Sequence, residues 1–559
     1  MRPPGFRGVW REDTTARAVY AESAGIGRVW PHAIAQPDDE DDVAELLRWA
    51  ARHDAMVVPR GAGSSMTGAA TGPGIVVDLS GLHHVSAADP AWRVVRCGPG
   101  ATLARVNRSA NAAGLRVPID PSSGAFCTVG GMAATNASGA RSLRFGSMRS
   151  WITGLDCVFA DGSRALLHRA APRPAGIAAL DRLGASEMQL RRRIASLPRP
   201  AVRKNSSGYA LHEFAATGDA IDLLAGSEGT LALFVGLEIR LAGLPQSEAT
   251  LLAAWDDLEA CMHGVALARE AGVVACELLD RTFLDFASTA SGVGIPAGSE
   301  AVLLISLEEG EAEATAARSD LAARGRAESA ISARAGALRS AMLSAGATQA
   351  IAATDPESAV ALWSVRHAAS PTLARLDPAL KSLQIIEDGC VPVARLAEYV
   401  RGVRAALGRH RIRGVLFGHA GDAHIHGNAL VDVREPDWRA RLERLFLDVV
   451  ELTASLDGTL AGEHGDGRLR TPVLDRIWPS PSRELFAEVK RLFDPAGILN
   501  AGVKVPLAEQ PLLGEIKYDP ALPPVPSAAR RVLDLVAEER AYDRSRLELL
   551  DEMARPGER

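Results

Sequence analysis

The chain has 559 residues, 47% of them hydrophobic and 23% charged, an ordinary globular composition that is too long for one core. A net charge of -6 leaves no basic footprint and argues against nucleic acid as a partner. Six cysteines (97, 127, 157, 261, 276 and 390) stand far apart with no CxxC, which argues against a disulfide framework, a zinc ribbon or an iron–sulfur cluster in this chain. No apolar signal region opens the chain, and no stretch reaches the roughly 20 apolar residues of a bilayer span. A cytoplasmic protein without a transmembrane segment is expected.

Residues 1–30 form an arm without clear periodicity. Residues 31–65 then read as a strand, an amphipathic helix opened by the acidic run Asp38 to Asp42, and a strand from Met56 to Pro59. That strand runs into RGAGSSMTGAATGPG and a further strand, IVVDLS. A Gly-rich loop after a strand suits phosphate held by backbone N–H groups. Met66 stands where a Rossmann fingerprint needs its third glycine, so this is not that motif. RVVRC and a helix from Ala101 lead to PIDP, then to SSGAFCTVGGMAATNASGARSLRFGSM, which reads as one long unstructured functional loop. Two phosphate-capable loops, neither a Walker motif, point to a dinucleotide held outside the Rossmann scheme. A hairpin turns at Asp161-Gly162, residues 165 to 215 read as mostly helical and polar, and a strand closes this half near Pro245.

From Ser247 the order becomes strand, helix, strand, strand and a long helix over 311–345, an α+β pattern of ferredoxin-like character. Arg366 and Ser370 follow one turn apart on a helix, and Lys381, one of only five lysines, opens the next strand. Then come FGHAGDAHIHGN and, about forty residues on, GEHGDGR. With strands over 415–417 and 425–431, His424 and His426 share a face, since side chains alternate with period two. Imidazoles and one carboxylate gathered on two Gly-rich loops suit a catalytic zinc-type site. The alternative is a pair of polar loops whose histidines satisfy backbone groups.

PRGAGSSMTG, PIDPSSGAFCTVGGMAATNASGARSLRFG, KNSSGY and GSEGTL, in this order, resemble the FAD-binding domain of the vanillyl-alcohol-oxidase-like flavoproteins. GHAGDAHIHGN, GEHGDGR and FDPAGILNAG narrow the resemblance to the D-2-hydroxyacid dehydrogenase branch, which holds glycolate oxidase, D-lactate dehydrogenase and D-2-hydroxyglutarate dehydrogenase. It covers residues 20 to 505 or so. It implies an α+β chain with a two-lobed PCMH-type FAD-binding domain over 31–246 and a ferredoxin-like substrate (cap) domain over 247–505. The histidine that some relatives couple to FAD has no counterpart in RGAGSS, which implies noncovalent FAD.

The resemblance carries cofactor contacts to Arg60, Gly61, Gly63, Ser64, Ser65, Gly68, Pro118, Asp120, Ser122, Gly130, Gly131, Thr135, Asn136, Ser138, Gly139, Glu228, Gly229 and Asn500. It implies a carboxylate clamp of Arg366, Ser370 and Lys381, with Asn428 orienting the substrate. It also implies a divalent metal, zinc by preference, on His419, His426 and Glu463, with His464 taking the proton as hydride passes to the flavin. Where relatives read GDGN this chain has Gly421-Asp422-Ala423-His424, so His424 is an extra ligand, a group behind the ligands, or a replacement hydrogen-bond donor.

Residues 506–559 lie outside the resemblance and read as a Pro-rich linker and a charged helix with an apolar stripe of Val532, Leu533, Leu535 and Val536. Two readings stay open for it, a disordered tail or a helix that docks an electron-accepting protein. The expected activity is oxidation of a small 2-hydroxy acid. Electrons then pass to a separate iron–sulfur protein or electron-transfer flavoprotein, which would also account for any peripheral attachment to a membrane. The alternatives are a metal-independent flavin oxidase of another alcohol or amine, a flavin-binding chain with a dead site, and a metal-dependent hydrolase.

Overall fold

The computed structural model describes residues 2–287, 294–311, 321–367 and 379–554. In chain order the first half contains β1 (Val9–Arg11), β2 (Ala33–Gln36), β3 (Val57–Arg60), β4 (Ile75–Asp78), β5 (Val94–Cys97), β6 (Leu115–Arg116), β7 (Ile152–Val158), β8 (Arg164–His168), β9 (Leu233–Arg240) and β10 (Ala242–Gly243). These build two lobes. The first is a sheet of order β1-β2-β4-β3 in which β2, β4 and β3 run parallel. The second is an antiparallel sheet of order β5-β9-β7-β8, whose β7–β8 hairpin turns through Gly162 at φ +77°.

The parallel strands are apolar on both faces, as a sheet covered on both sides requires. Ala33, Ala35, Val57, Ile75 and Val77 meet Val43, Leu46 and Leu47 of the Glu40–Arg52 helix, which Asp39 caps and three acidic residues open. The alternate residues Ile34, Val58 and Val76 face the other way. They meet Ala16, Val19 and Tyr20 of the Thr14–Ala21 helix, and with them Val532 and Val536 of Ser527–Glu539 and Leu547, Leu549 and Leu550 of Arg546–Ala554. The opening arm and the tail are therefore one packed layer of the first lobe. Arg28 reinforces it, pairing with Glu22 at 2.8 Å and donating to the Pro523 carbonyl at 3.0 Å.

Two stretches differ from the sequence reading. The long loop after Pro121 contains a helix, Val129–Thr135, capped by the Thr128 hydroxyl and held by the burial of Val129, Met132 and Ala133. Of the span 165–215, residues up to His168 are strand, Ala178–Ile194 and Leu211–Thr217 are helix, and the residues between those helices are loop.

The second half continues with β11 (Pro245–Trp255), β12 (Ala275–Asp280), β13 (Ala301–Glu311), β14 (Gln349–Ala353), β15 (Leu380–Leu383), β16 (Gly389–Cys390), β17 (Arg413–His419) and β18 (His424–Asp432). One antiparallel sheet runs β14-β11-β13-β12-β17-β18-β15. Its first four strands, with the helices Leu258–Glu270 and Leu321–Ser344, make the β-α-β-β-α-β unit of a ferredoxin-like domain. The β17–β18 hairpin and β15 extend that sheet on the β12 side. The closing segment returns to the first half, where Leu474, Trp478, Leu485, Phe486, Val489 and Phe493 join the core of the second lobe. Among the described residues no helix is long and apolar enough to cross a membrane.

A tail that is a structural layer makes a definite prediction. Leu549 is 1% exposed, and Leu549→Ala should cost about 2–4 kcal/mol of local stability. Limited proteolysis should then clip the chain between 506 and 554 well before it cuts the two lobes. Equal clipping rates for variant and wild type would mean the tail is not packed.

Candidate active site

The β17–β18 hairpin sets Phe417 opposite His426 and His419 opposite His424, and its turn passes through Ala423 at φ +54°, a conformation that favours glycine. On the other side of β17, Glu277 of β12 lies directly across from His419. His424 and His426 do share a face, their ring centroids 4.6 Å apart. GEHGDGR comes against them from the loop before the Gly467–Arg470 helix.

At the centre three atoms converge. Glu463 Oε1 lies 3.1 Å from His419 Nε2 and 3.5 Å from His426 Nε2, and the two nitrogens are 3.4 Å apart. Each ring is fixed from behind: His419 Nδ1 donates to Glu277 at 2.5 Å, and His426 Nδ1 donates to the Glu387 carbonyl at 2.7 Å. Both Nε2 atoms are therefore turned to the cluster, the arrangement that metal-ligating histidines use. The second carboxylate oxygen, Glu463 Oε2, is taken by Ser138 Oγ at 2.5 Å and Lys204 Nζ at 2.9 Å. His464 stands beside the group, its Nε2 3.7 Å from Glu463 Oε1 and its Nδ1 donating to Glu387 Oε2 at 2.5 Å.

His424 is spoken for at both ends. Its Nε2 meets Asp388 at 2.7 Å and its Nδ1 lies 3.4 Å from Lys204 Nζ. Burial and the adjacent ammonium push its basicity down to about 3, so it stays neutral, and it buttresses Asp388 and Lys204. For His419, burial opposes the charged form, but Glu277 and Glu463 outweigh it and hold the imidazole up at about 9. His464 is likewise raised to about 10, withdrawal from water being overcome by Glu387 and Asp388. The cluster thus holds protons at the positions where a bound cation could instead balance its carboxylates.

Arg366 and Asn428 line the same cavity as His426, Glu463 and His464. The Arg366 guanidinium sits 4.3 Å from the Phe417 ring centroid and 3.4 Å from Glu277. Lys381 is not brought there: it stands on β15 with its ammonium over the Tyr518 ring at 5.6 Å. Ser370 lies outside the described residues.

The cavity, about 490 Å³, continues from the cluster along the two Gly-rich stretches. Twelve expected cofactor residues line it: Arg60, Gly61, Gly63, Ser64, Ser65, Ser122, Gly130, Gly131, Thr135, Ser138, Glu228 and Gly229. Six do not, namely Gly68, Pro118, Asp120, Asn136, Gly139 and Asn500. Asn500 instead pins two loops together, donating to the carbonyls of Ala69 and Glu228 at 2.9 and 2.8 Å. The Glu228 carboxylate turns to the N–H groups of Asp466 and Gly467 and to Lys504, so it aligns GEHGDGR. In the first loop the carbonyls of Gly63 and Ser65 are tied to residues 24 and 25, while the N–H groups of Ala62, Gly63, Ser64 and Ser65 find no acceptor among the described residues. Consecutive unpaired N–H groups on a cavity wall fit a dinucleotide's diphosphate.

Lys204, Glu277, Glu387 and Asp388 were not among the expected site residues. Only Lys204 carried a signal, as one of the few lysines and within KNSSGY. Glu277 lies in the apolar strand ACELLD and Glu387-Asp388 in IIEDGC, where nothing local marks a buried carboxylate for function. Arg470 binds both of the latter, Glu387 by one guanidinium nitrogen and Asp388 by another at 2.7 Å.

Comparison with known proteins agrees with this geometry. Residues 31–166 match the FAD binding domain, and residues 244–503 match the C-terminal domain of the FAD linked oxidases. The chain is 27% identical to glycolate oxidase subunit GlcD of Bacillus subtilis, over 88% of this chain and 93% of that protein. It is 29% identical to a D-lactate dehydrogenase of Archaeoglobus fulgidus, over 84% and 90%. In fold it resembles 4-ethylphenol oxidase from Gulosibacter chungangensis, with a TM-score of 0.63 at 15% identity over 89% of this chain and 94% of that one. Two domains of one oxidase family, in order and joined by a cavity with a cradle for a dinucleotide, leave a single assignment. The chain belongs to the FAD-linked oxidases, in their D-2-hydroxyacid dehydrogenase branch, and is an FAD-dependent oxidoreductase.

Proposed function

We propose that the protein oxidises a small D-2-hydroxy acid, of the glycolate, D-lactate or D-2-hydroxyglutarate class, to the 2-oxo acid, the two electrons passing to noncovalent FAD and then to a separate acceptor. The observation that carries this reading is the convergence of His419 Nε2, His426 Nε2 and Glu463 Oε1 within 3.5 Å of one another, with His426 and Glu463 lining the cavity that runs along the dinucleotide loops. When bound, FAD supplies the electron sink, and a divalent metal, zinc by its nitrogen-and-oxygen donors, supplies the charge that acidifies a hydroxyl.

The chain's own groups divide the remaining work. Arg366 offers a planar fork for the substrate carboxylate, and Asn428 a neutral donor and acceptor on the same wall. His464 Nε2 is the proton acceptor, oriented by Glu387 through Nδ1. With the cluster free of cations that imidazole already carries its proton, so it serves as a base only when positive charge beside Glu463 brings its basicity down. All six cysteines are free, buried and spread over both halves, so any iron–sulfur relay would sit on a separate chain. One observation favours a second reading, a metal-independent flavin oxidase: His419 and His464, when protonated, already balance the nearby carboxylates.

Three measurements test this. An anaerobic titration of the purified holoprotein with 2-hydroxy acids should bleach the flavin bands with one D-acid. Chelation should abolish the bleaching and zinc restore it. Bleaching that survives complete removal of metal would favour the metal-independent oxidase, and a flavin that no acid bleaches would sink the dehydrogenase reading. Arg366→Ala should raise KM about 10- to 100-fold, the worth of a charge-assisted hydrogen bond. The third is pH dependence. Because His419 and His464 are raised above the usual histidine value of about 6.5, they stabilise the metal-free protein fully below that pH. That contribution is lost as pH rises through about 9 and about 10. Tm of the chelated protein should therefore fall between pH 7 and 10, and saturating zinc should flatten the fall. Parallel profiles with and without zinc would rule out metal at this cluster.

A further inference from the structure

The connection between the two tail helices reaches the cofactor cavity. The Ser527–Glu539 helix ends at Arg540, whose φ of +54° turns the chain toward the first Gly-rich loop. Ala537, Arg540 and Tyr542 line the same cavity as Ser64 and Gly131. The Tyr542 ring lies 5.0 Å from that of Phe126, tilted by 30°, so an aromatic pair from the tail and the second loop forms part of the wall. Arg546 stitches the connection down, donating to the Ala62 carbonyl at 2.9 Å and to the carbonyls of Ala541 and Arg544 at 3.1 and 2.7 Å.

The charge at this wall is mainly positive, with the buried Asp78 carboxylate acting on Arg60 and Arg546. Arg60 spends its guanidinium on the carbonyls of Tyr20, Glu22 and Ala70, and Arg546 on those just named. Arg540 has no carboxylate partner among the described residues. Arg60 and Arg540 line the cavity together with the four unpaired N–H groups, and Arg540, whose charge meets no described carboxylate, suits an anion there.

We propose that Arg540 and Tyr542 are FAD-contacting residues, Arg540 pairing with the diphosphate and Tyr542, backed by Phe126, closing the wall over the dinucleotide. This rests on FAD occupying the cavity described above. It makes the segment beyond residue 505 part of the cofactor site, whereas the matched family domains end at residue 503. Arg540 is exposed, so its replacement leaves the packed layer intact.

The test is a titration of the full-length apoprotein with FAD and, in parallel, with riboflavin, which lacks phosphate, read by quenching of flavin fluorescence. Arg540→Ala should weaken FAD binding at least tenfold and leave riboflavin binding unchanged, and Arg540→Lys should recover most of the loss. Tyr542→Ala should also weaken FAD at least tenfold, and Tyr542→Phe should bind as wild type. Wild-type affinity for FAD in both alanine variants would overturn the proposal, as would an equal loss for FAD and riboflavin in Arg540→Ala. A wild-type protein that takes up no FAD would overturn the cavity assignment itself, and the proposal with it.

Discussion

The site depends on how one carboxylate is shared. Glu463 gives one oxygen to Ser138 and Lys204 of the N-terminal domain and keeps the other for His419 and His426 of the cap sheet. A buried carboxylate is tolerated only when all its lone pairs are answered. Here those answers come from both domains, so Glu463 is satisfied only when the domains are assembled. Coupling the His/Glu cluster to the Gly-rich loops in this way fixes the cluster's position relative to the dinucleotide cradle. Glu387 and Asp388, both bound by Arg470, do for His464 and His424 what Glu277 does for His419, so every imidazole at the site has a carboxylate or carbonyl setting its orientation.

The few lysines follow from the same economy of charge. In a chain whose cations are nearly all arginine, Lys204, Lys490 and Lys504 are buried. Lys490 donates to Asp494 and to the carbonyls of Thr230 and Leu499, and Lys504 to the Ser206 carbonyl beside Glu228 and Asp466. These partners are disposed around a point, which suits an ammonium with three rotatable donors and not a flat guanidinium. Rarity was a sound guide to where lysine is needed. It misled at Lys381, where the cation rests on the Tyr518 ring instead of facing the cavity.

What the sequence made legible was whatever it wrote locally. Alternation and glycine placed His419, His426 and Glu463 in two short motifs, and strand–helix order announced the ferredoxin-like unit. The carboxylates that orient those histidines were not legible, because Glu277 reaches His419 across 142 residues and lies in a strand that otherwise reads as core. The helix at Val129–Thr135 was hidden by its composition of glycine, alanine and threonine, since its stability comes from the Thr128 cap and from tertiary burial. The stripe at Val532 and Val536 was visible, but a stripe says that a face is covered and not by what. Its cover is the chain's own first sheet.

That cover has a consequence for biosynthesis. Ile34, Val58 and Val76 leave the ribosome early, yet one face of their sheet is completed only by residues 527–554. At roughly 5–20 residues per second, about 20 to 90 seconds separate the synthesis of β4 from that of its cover. Throughout that interval the Thr14–Ala21 helix alone, of the elements packed on that face, is there to cover it. That layer is therefore closed last, by the final segment of the chain to be made.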